Sequence, residues 1–470
     1  MSVTAEVRVR HTPIPGLLSV DLPVHADARG WFKENWQRAK MTAAGLPDFG
    51  PVQQSAAHNG RAGVTRGIHA EPWDKLVSVV AGKVFGAWVD LREGPTFGTV
   101  HTQELDEHVA VFVPRGVGNS YQTLVQDTVY SYLVNEHWSP DSAYTMLNLA
   151  DGTAAIPWPI PLEQAQVSDK DKNHPTLADV TPVPPPRTLV LGAGGQLGRA
   201  LVDALPGAEA LDRDGLDLAD PAAVAGFDFT GVGTVVNAAA YTAVDAAETP
   251  EGRRAAWAAN ATGAAALARA AVKHRFTLVH YSSDYVFDGT QEVYGEDDPI
   301  APLSVYGASK AAGDLAVSVV PRHYLVRTSW VVGKGKNFVT TMAGLADRGV
   351  SPSVVADQVG RLTFTDDLAR ATVHLLTTGA PYGTYNVTST GNASSWADIA
   401  RQVYEARDAD PALITETITA EYLADQDGPI ARRPARSVLR LGKIEAAGHE
   451  VVDQRNALTK YLEGLEPFGW

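Results

Sequence analysis

Short runs of apolar residues dominate the first third of the chain. Turn residues separate these runs, and no long helical pattern lies between them. Several short strands at this spacing predict an antiparallel sandwich or jelly roll. The runs are two segments on either side of Gly82 within Lys75 to Leu91, followed by Val109 to Val113, Ser120 to Val125 and Val129 to Val134.

The remainder of the chain has a different pattern, in which apolar strands alternate with helices. Arg187 to Leu191 is a short apolar strand that leads into a glycine-rich turn and then into a helical pattern through Leu205. Further strands are predicted at Glu209 to Asp212, Thr234 to Asn237 and Phe276 to Ser282. This alternation predicts a doubly wound parallel α/β sheet of the Rossmann type.

A proline-rich segment lies between the two patterns, with four prolines in the five positions 182–186. Such a segment favours an extended, semi-rigid spacer. We therefore predict a first domain at residues 1–178, a linker at 179–187 and a second domain at 188–470. A chain of 470 residues is also too long for one ordinary core.

Composition and charge exclude several classes of function. The chain has no cysteine, which excludes disulfides, thiolate catalysis and cysteine-bound metals. Its formal net charge of −15 argues against binding nucleic acid through a basic surface. No apolar run approaches the ~18 residues of a membrane span, and the first residues lack the apolar segment of a secretory signal. We expect a cytoplasmic protein with no nucleic-acid or membrane partner.

The segment from Tyr281 to Lys310 indicates a chemistry. Ser283 follows a predicted strand, so it lies at the carboxyl end of the sheet, where ligands of such sheets bind. Tyr306 and Lys310 are four residues apart, so a helix places them on one face. A nearby ammonium favours the phenolate, so we expect Lys310 to lower the pKa of Tyr306 toward working pH.

The order of these motifs resembles the extended short-chain dehydrogenase/reductase family. It consists of Gly192, Gly195 and Gly198 in a G-x-x-G-x-x-G pattern, then Asn237-Ala238-Ala239-Ala240, Ser283, Tyr306 and Lys310. Within that family, Asn237 to Asp245, Tyr281 to Phe287, Arg327 to Trp330 and Ala431 to Pro434 resemble TDP-4-dehydrorhamnose reductase. The resemblance implies a small substrate-binding lobe beside the sheet. It also implies that Ser283 polarises the C4 ketone, Tyr306 protonates it, and Asp284 and Trp330 face the sugar.

The same resemblance implies NADH or NADPH as the cofactor, with Lys310 holding the nicotinamide ribose. Asp212 at the end of the second strand disfavours a 2′-phosphate and Arg213 favours one, so the choice between the two stays open. The cofactor-binding residues that it implies are Gly192, Gly195, Gln196, Leu197, Gly198, Asp212, Asp217, Leu218, Ala240, Tyr241, Thr242, Tyr281, Tyr306 and Lys310.

The first domain resembles the TDP-4-keto-6-deoxyglucose 3,5-epimerase family, a cupin-like jelly roll. The resemblance is carried by Asp27 to Phe32, Thr65 to His69, Pro95 to Gly98 and Ser168 to Asp171. It implies that His69 is the base, that Asp171 orients it and that Tyr132 is the acid on the opposite sugar face. Lys75 would stabilise the enolate, and the nucleotide and its phosphates would be held by Arg29, Glu34, Gln53, Arg66, Asn119 and Lys170.

Elementary chemistry supports these roles apart from the resemblance. A proton next to a ketone is acidic only because the negative charge moves to oxygen, so a cation such as Lys75 or Arg66 must meet that oxygen. Histidine titrates near neutrality, which suits His69 as a base. Related epimerases usually carry a histidine where this chain has Asn119, which can still donate a hydrogen bond to a phosphate.

No metal is predicted. His58, His69, His101 and His108 lack the close pairing of histidines that metal sites usually show. Some related reductases bind a divalent ion through glutamates, and one of those positions is Ala200 in this chain.

The two domains converge on one intermediate. The C4 ketone makes the protons at C3 and C5 acidic, and reduction removes that ketone, so epimerisation must come first. The resemblances together imply a bifunctional enzyme that converts TDP-4-keto-6-deoxy-D-glucose to TDP-L-rhamnose, as a homo-oligomer joined through the epimerase domain. One alternative is an active reductase beside a catalytically silent cupin used for binding or dimerisation. A second alternative keeps both activities and yields another deoxyhexose.

Overall fold

A computed structural model of the chain describes residues 6–140, 142–424 and 428–465. The chain divides into two compact units, Met1–Pro185 and Pro186–Trp470. The division lies inside the proline-rich segment. Val183 still belongs to the first unit, because it pairs with Arg92 and its N–H donates to the Leu91 carbonyl at 2.8 Å.

The first unit is built almost entirely of strands. These are β1 (Arg8–His11), β2 (Leu18–Asp21), β3 (Val24–Asp27), β4 (Gly30–Lys33), β5 (Gln53–Asn59), β6 (Thr65–Ala70), β7 (Lys75–Ala81), β8 (Val84–Asp90), β9 (Val100–Leu105), β10 (Val109–Val113), β11 (Val117–Thr123), β12 (Thr128–Val134) and β13 (Thr145–Met146). Two short helices accompany them, α1 (Arg38–Ala43) and α2 (Asp169–Lys172).

Two antiparallel sheets of this unit face each other as a sandwich. The first has the strand order β1-β2-β10-β7-β12-β5 and the second the order β13-β6-β11-β8-β9. Because side chains alternate between the two faces of a strand, Val77 and Val79 of β7 point inward and pack with Trp88 of β8 and Tyr130 of β12. The predicted jelly roll is confirmed.

The second unit alternates strands and helices. Its strands are β14 (Arg187–Leu191), β15 (Glu209–Leu211), β16 (Val232–Asn237), β17 (Thr277–Ser283), β18 (His323–Thr328), β19 (Val331–Val332), β20 (Ser353–Val355), β21 (Val359–Gly360), β22 (Thr363–Phe364), β23 (Gly383–Asn386), β24 (Ser394–Ser395) and β25 (Thr415–Thr417). Its α-helices are α3 (Gln196–Ala204), α4 (Pro221–Gly226), α5 (Pro250–Ala256), α6 (Ala264–His274), α7 (Val305–Ser318), α8 (Phe338–Ala346), α9 (Thr365–Thr378), α10 (Trp396–Ala406), α11 (Thr419–Ala424), α12 (Gly442–Ala446) and α13 (Gln454–Glu463).

Six parallel strands in the order β15-β14-β16-β17-β18-β23 form the central sheet. Alternation along β14 sends Leu189 and Leu191 into one apolar core and Val190 into another, so both faces of the sheet are covered. The predicted Rossmann-type sheet is confirmed. A further core, which includes Val339, Val403 and Leu458, joins α8, α10 and α13 in a smaller lobe.

The strand ends of the central sheet bring the candidate residues together. Gly192 follows β14, Asp212 follows β15, Asn237 ends β16 and Ser283 ends β17. Because the strands are parallel, these positions share the carboxyl edge of the sheet. Among the described residues, none of the helices is long and apolar enough to cross a bilayer.

Candidate active sites

A cavity of about 510 Å³ opens in the first unit. It is lined by residues of β5, β6, β7, β11 and β12 and by the segment 166–171. Six residues that the sequence singled out meet there: Arg66, His69, Lys75, Asn119, Tyr132 and Asp171. Their positions in the sequence span about a hundred residues, so only the packing of the two sheets brings them to one place.

His69 and Asp171 form a hydrogen-bonded pair in the wall of this cavity. Asp171 lies in α2, where its N–H donates to the capping hydroxyl of Ser168 at 3.1 Å. His69 Nε2 is 3.1 Å from Asp171 Oδ1. Burial lowers the pKa of His69, and the bond to Asp171 offsets only part of that effect. The imidazole is therefore neutral at neutral pH, as a general base requires.

Lys75 is almost fully buried at the start of β7. Its Nζ lies 2.6 Å from Glu71 Oε2 and 5.6 Å from the centre of the Tyr132 ring. Burial lowers the pKa of Lys75, while the neighbouring Glu71 carboxylate opposes the change. Sequence reasoning missed Glu71, because it belongs to no quoted motif and pairs with Lys75 across a turn.

Asn119 lies on β11 directly across from His69. Its amide oxygen accepts hydrogen bonds from Trp88 Nε1 at 2.9 Å and from the Tyr130 hydroxyl at 3.3 Å. These two donors fix the orientation of the amide. The nitrogen of the amide is then the end left to donate to a ligand.

Four residues predicted to hold the nucleotide lie outside this cavity. Arg29 is exposed beside Asp27, and Glu34 is exposed at 2.5 Å from Lys40 Nζ. Lys170 is exposed on α2. Gln53 lines a separate cavity of about 430 Å³ that also contains Glu71 and Tyr132. Their nucleotide-binding roles stay predictions.

Sequence reasoning also missed His174, three residues after Asp171. Its Nε2 lies 3.8 Å from the Asp171 Oδ1 that His69 contacts. The prediction of no metal rested on four other histidines and did not consider this one. Among the described residues, the ligand atoms of His69, Asp171 and His174 all lie within 4.8 Å of one another.

In the second unit, the turn after β14 is shaped for close approach. Gly192 has φ of 72°, and a Cβ there would lie 2.7 Å from Ala239 Cα; a Cβ at Gly198 would lie 2.0 Å from the Gly192 carbonyl oxygen. The turn ends at Gly195, which caps α3 without a side-chain hydrogen bond. The first N–H groups of α3 are thus unobstructed, and a pyrophosphate fits there.

Ser283, Tyr306 and Lys310 lie together at the end of β17 and the start of α7. Tyr306 and Lys310 lie on α7, as predicted, and Ser283 donates to Asp284 Oδ1 at 2.8 Å. Lys310 Nζ donates to the Tyr281 carbonyl at 2.5 Å. The Tyr281 side chain points away into the core, where its hydroxyl lies 2.5 Å from Thr372 Oγ1. Tyr281 therefore contributes its backbone to this site.

The expected lowering of the Tyr306 pKa is wrong in direction. Burial raises the pKa of Tyr306, and the adjacent Asp284 carboxylate raises it further. Lys310 is directed at a carbonyl instead of the phenol, and burial lowers its own pKa to about 8. Tyr306 consequently holds its proton at neutral pH.

The remaining cofactor candidates lie at the start of α3 and in the loops that follow β15 and β16. Asp212 accepts a hydrogen bond from the Asp214 N–H at 3.0 Å and Asp217 from the Ala219 N–H at 2.9 Å, so both shape local turns. Leu218 is buried in the core. Gln196 accepts a hydrogen bond from the Gly333 N–H at 3.0 Å. Leu197 is the second residue of α3, and Ala240 and Thr242 lie in the loop after β16.

Asn260 holds that loop and was not foreseen from the sequence. Its side chain accepts from the Tyr241 N–H at 2.9 Å, donates to the Tyr241 carbonyl at 3.0 Å and donates to Ser309 Oγ at 3.0 Å. It therefore ties the loop after β16 to α7. No motif marks it, because it lies in a helical segment of small residues.

Trp330 packs on the smaller lobe. Its ring stacks on Trp396, with centroids 3.7 Å apart, and its φ is 45°, in the left-handed region. A non-glycine residue in that region is strained and is held there by its surroundings. The stacking fixes one face of the indole, and the predicted contact with the sugar stays a prediction.

Comparison with known proteins agrees with this geometry. The family model for dTDP-4-dehydrorhamnose 3,5-epimerase matches residues 11–179, and the model for the RmlD substrate binding domain matches residues 186–466. A protein from Streptococcus pyogenes serotype M6 named as an RmlC homolog is 50% identical over 179 residues, which is 37% of this chain and 90% of that protein.

Relatives of the second unit are reductases of nucleotide sugars. A probable dTDP-4,6-dihydroxy-2-methyloxan-3-one 4-ketoreductase from Streptomyces antibioticus is 42% identical over 282 residues, covering 58% of this chain and 93% of that protein. The crystal structure of dTDP-4-dehydrorhamnose reductase from Bacillus anthracis in complex with NADP is 32% identical. It covers 59% of this chain and 99% of that one, with a TM-score of 0.54. The chain thus belongs to the dTDP-4-dehydrorhamnose 3,5-epimerase family in its first unit and to the RmlD reductase family in its second.

Proposed function

We propose that the chain epimerises TDP-4-keto-6-deoxy-D-glucose at C3 and C5 and then reduces its C4 ketone, giving TDP-L-rhamnose. The observation that carries the proposal is the convergence of His69, Asp171, Lys75 and Tyr132 on one cavity. A silent cupin would have no need to keep a base, its orienting carboxylate, a buried cation and a phenol together. The membership of both units in families of this chemistry supports the same conclusion.

In the epimerisation, His69 removes a proton from the carbon next to the ketone. Asp171 holds the imidazole, so that the nitrogen turned away from the carboxylate carries the lone pair. The Lys75 ammonium meets the enolate oxygen, and its burial strengthens that interaction. Tyr132 returns a proton on the other face of the sugar, which inverts the centre.

In the reduction, the Ser283 hydroxyl turns its proton from Asp284 Oδ1 to the C4 oxygen, and Tyr306 gives that oxygen a proton. The raised pKa of Tyr306 keeps that proton in place until negative charge develops on the sugar oxygen. Bound NADPH or NADH supplies the hydride. The turn at Gly192 to Gly198 would hold its pyrophosphate, and Lys310 would hold its nicotinamide ribose.

We also propose that the chain works as a homo-oligomer in the cytoplasm. Arg29 and Glu34 lie outside the cavity formed by one chain, which agrees with a nucleotide site completed by a second copy. Light scattering after gel filtration measures the mass of the assembly. A monomer of 50.0 kDa would contradict this part of the proposal.

Deuterium exchange tests the epimerase separately from the reductase. The full-length chain is incubated in heavy water with TDP-4-keto-6-deoxyglucose and no nicotinamide, and deuterium at C3 and C5 is read by NMR. We expect exchange at both carbons, its loss in His69→Ala, and its retention in His58→Ala, a control at an exposed histidine of the same unit. Exchange at neither carbon would leave a reductase with a silent cupin.

A different deoxyhexose product is the second candidate, and the 42% identity to the Streptomyces antibioticus ketoreductase favours it. This candidate uses the same catalytic residues. It differs in which of the carbons C3 and C5 is inverted, or in which face of the C4 ketone receives the hydride. The stereochemistry of the product formed with NADPH distinguishes the two. Exchange confined to one carbon, or a product other than TDP-L-rhamnose, would support this candidate.

A further inference from the structure

His174 is buried next to the proposed epimerase residues and has no hydrogen-bond partner among the described residues. Its side chain is 7% exposed, and among the described residues neither ring nitrogen makes a hydrogen bond. A buried polar group without a partner is costly, so its presence calls for an explanation. The proposed epimerisation gives His174 no role.

The surroundings of His174 supply the other donors of a cation site. Asp171 Oδ1 lies 3.8 Å from His174 Nε2 and 3.1 Å from His69 Nε2. In a tetrahedral site with metal–ligand bonds of about 2.0–2.1 Å, neighbouring ligand atoms are about 3.3 Å apart. Both of these separations are within about 0.5 Å of that value, and the ligand atoms of all three residues lie within 4.8 Å of one another. Two imidazoles and one carboxylate are a donor set that zinc and similar first-row ions favour.

We propose that His69, Asp171 and His174 bind a divalent transition-metal ion and that its binding switches off the epimerase. The inhibitory part rests on the proposed function, whereas the binding part does not. This site differs from the expected absence of a metal, because His174 comes into reach only through its short distance from Asp171.

The access and charge of the site agree with this proposal. His69 is 31% exposed, while Asp171 and His174 are buried behind it, so an ion enters from the cavity. Lys75 is the nearby cation that would oppose binding, and Glu71 at 2.6 Å balances its charge.

Inhibition follows from the chemistry of the imidazole. In the metal-free pair, the Nε2–H of His69 donates to Asp171 and the lone pair is on Nδ1, where it acts as the base. An ion on Nε2 takes the place of that proton. The neutral ring then carries its single proton on Nδ1, so no lone pair remains to accept a proton from the substrate.

Another group of potential ligands provides the control. Asp106, Glu107 and His108 also lie within ligand distance of one another, but they sit on a more accessible turn, and His108 is about half exposed. None of these three has the buried, unpartnered donor that distinguishes His174. Weak surface binding of an ion would be lost in a His108 variant instead of a His174 variant.

The test uses the full-length chain, freed of metal with a chelator, and zinc alone as the probe. Calorimetry measures binding, and the heavy-water exchange assay is run on the same samples. We expect about one zinc per chain and, at saturation, a fall of at least about a hundredfold in exchange, the usual contribution of a general base. Magnesium at equal concentration should do neither, because it prefers oxygen ligands.

Two variants at position 174 decide the matter. His174→Phe, which keeps the ring but removes both nitrogens, should exchange deuterium normally and bind zinc at least about tenfold more weakly, since loss of even an outer-shell partner costs that much. His174→Asn serves if the first variant fails to fold, and His108→Gln should behave as wild type. Zinc binding by His174→Phe equal to that of wild type would overturn the site.

Two further outcomes have separate meanings. Zinc bound tightly through His174 with exchange unchanged would overturn the inhibition. Absence of exchange in the metal-free wild type would overturn the proposed epimerase instead, and calorimetry would still decide whether the site exists.

Discussion

Replacing Asp284 by asparagine should change how the stability of the second unit depends on pH. Asp284 is 2% exposed, and burial raises its pKa from 3.8 to about 6, although hydrogen bonds from Ser437 and Ser283 lower it in part. At pH values between about 3.8 and 6, the folded chain binds more protons at Asp284 than the unfolded chain does. Stability therefore falls as the pH rises through that window and stays lowered above it.

The magnitude follows from the two pKa values. A change of one in pKa is worth about 1.36 kcal/mol, so the rise from 3.8 to about 6 makes ionised Asp284 cost about 3 kcal/mol of folding free energy above about pH 7. At about pH 5 only the part of the pKa rise between 3.8 and 5 contributes. The cost of ionised Asp284 in folding free energy is then about 1.6 kcal/mol. Asparagine does not ionise. The free energy of unfolding of Asp284→Asn relative to wild type should therefore increase by about 1.4 kcal/mol from about pH 5 to about pH 7.5.

Urea unfolding of wild type and Asp284→Asn at both pH values measures this difference. The relevant transition is the one that added NADPH shifts to higher urea, since a ligand stabilises the unit that binds it. A constant offset between aspartate and asparagine, from the amide that must be buried, cancels in the comparison of the two pH values. Asp297→Asn removes an exposed carboxylate of the same unit and should leave the slope with pH as in wild type. A pH-independent difference for Asp284→Asn would refute the reasoning.

Three further predictions concern single contacts. Tyr306→Phe should slow reduction by about 10²- to 10⁴-fold, the range for loss of a general acid, while deuterium exchange at C3 and C5 continues; equal loss of both activities would contradict separate sites. Lys75→Met leaves Glu71, which is 12% exposed, without its partner at 2.6 Å and should cost about 3 kcal/mol in urea unfolding. The double variant Lys75→Met with Glu71→Gln should recover most of the lost unfolding free energy but should still exchange no deuterium. If the single and double variants are equally stable, the Lys75–Glu71 ion pair does not account for the loss. Gly198→Ala places a Cβ 2.0 Å from the Gly192 carbonyl oxygen and should cost at least about 1–3 kcal/mol, with weaker NADPH binding by fluorescence titration; unchanged affinity would show that the turn can shift.

Much of the reductase site could be predicted because its residues are tied to local structure. Ser283 ends a strand, which places it at the ligand-binding edge of the sheet, and the spacing of Tyr306 and Lys310 along the chain fixes their separation on one helix. The glycine turn is local for the same reason. Asn260 could not be predicted, because it reaches Tyr241 and Ser309 from a helix that carries no motif.

The electrostatic prediction failed for a physical reason. The spacing of Tyr306 and Lys310 is compatible with an ammonium beside a phenol, but it does not say where each head group points. In the folded chain Lys310 donates to the Tyr281 carbonyl, and burial beside Asp284 governs the pKa of Tyr306. Burial depends on every neighbouring element, so a pKa cannot be obtained from a spacing of four residues.

The sequence by itself determined the two folds, their order and the chemical types of the main candidate residues. Hydrophobic period and glycine placement are local properties, and they select an antiparallel sandwich and a parallel sheet without knowledge of distant contacts. Only the tertiary structure decided which side chains share a cavity. His69 and Asp171 are brought together across 102 positions, and Lys75 gains Glu71 and His174 gains Asp171 as neighbours. Such contacts depend on how sheets and loops pack, and packing is a property of the whole folded unit.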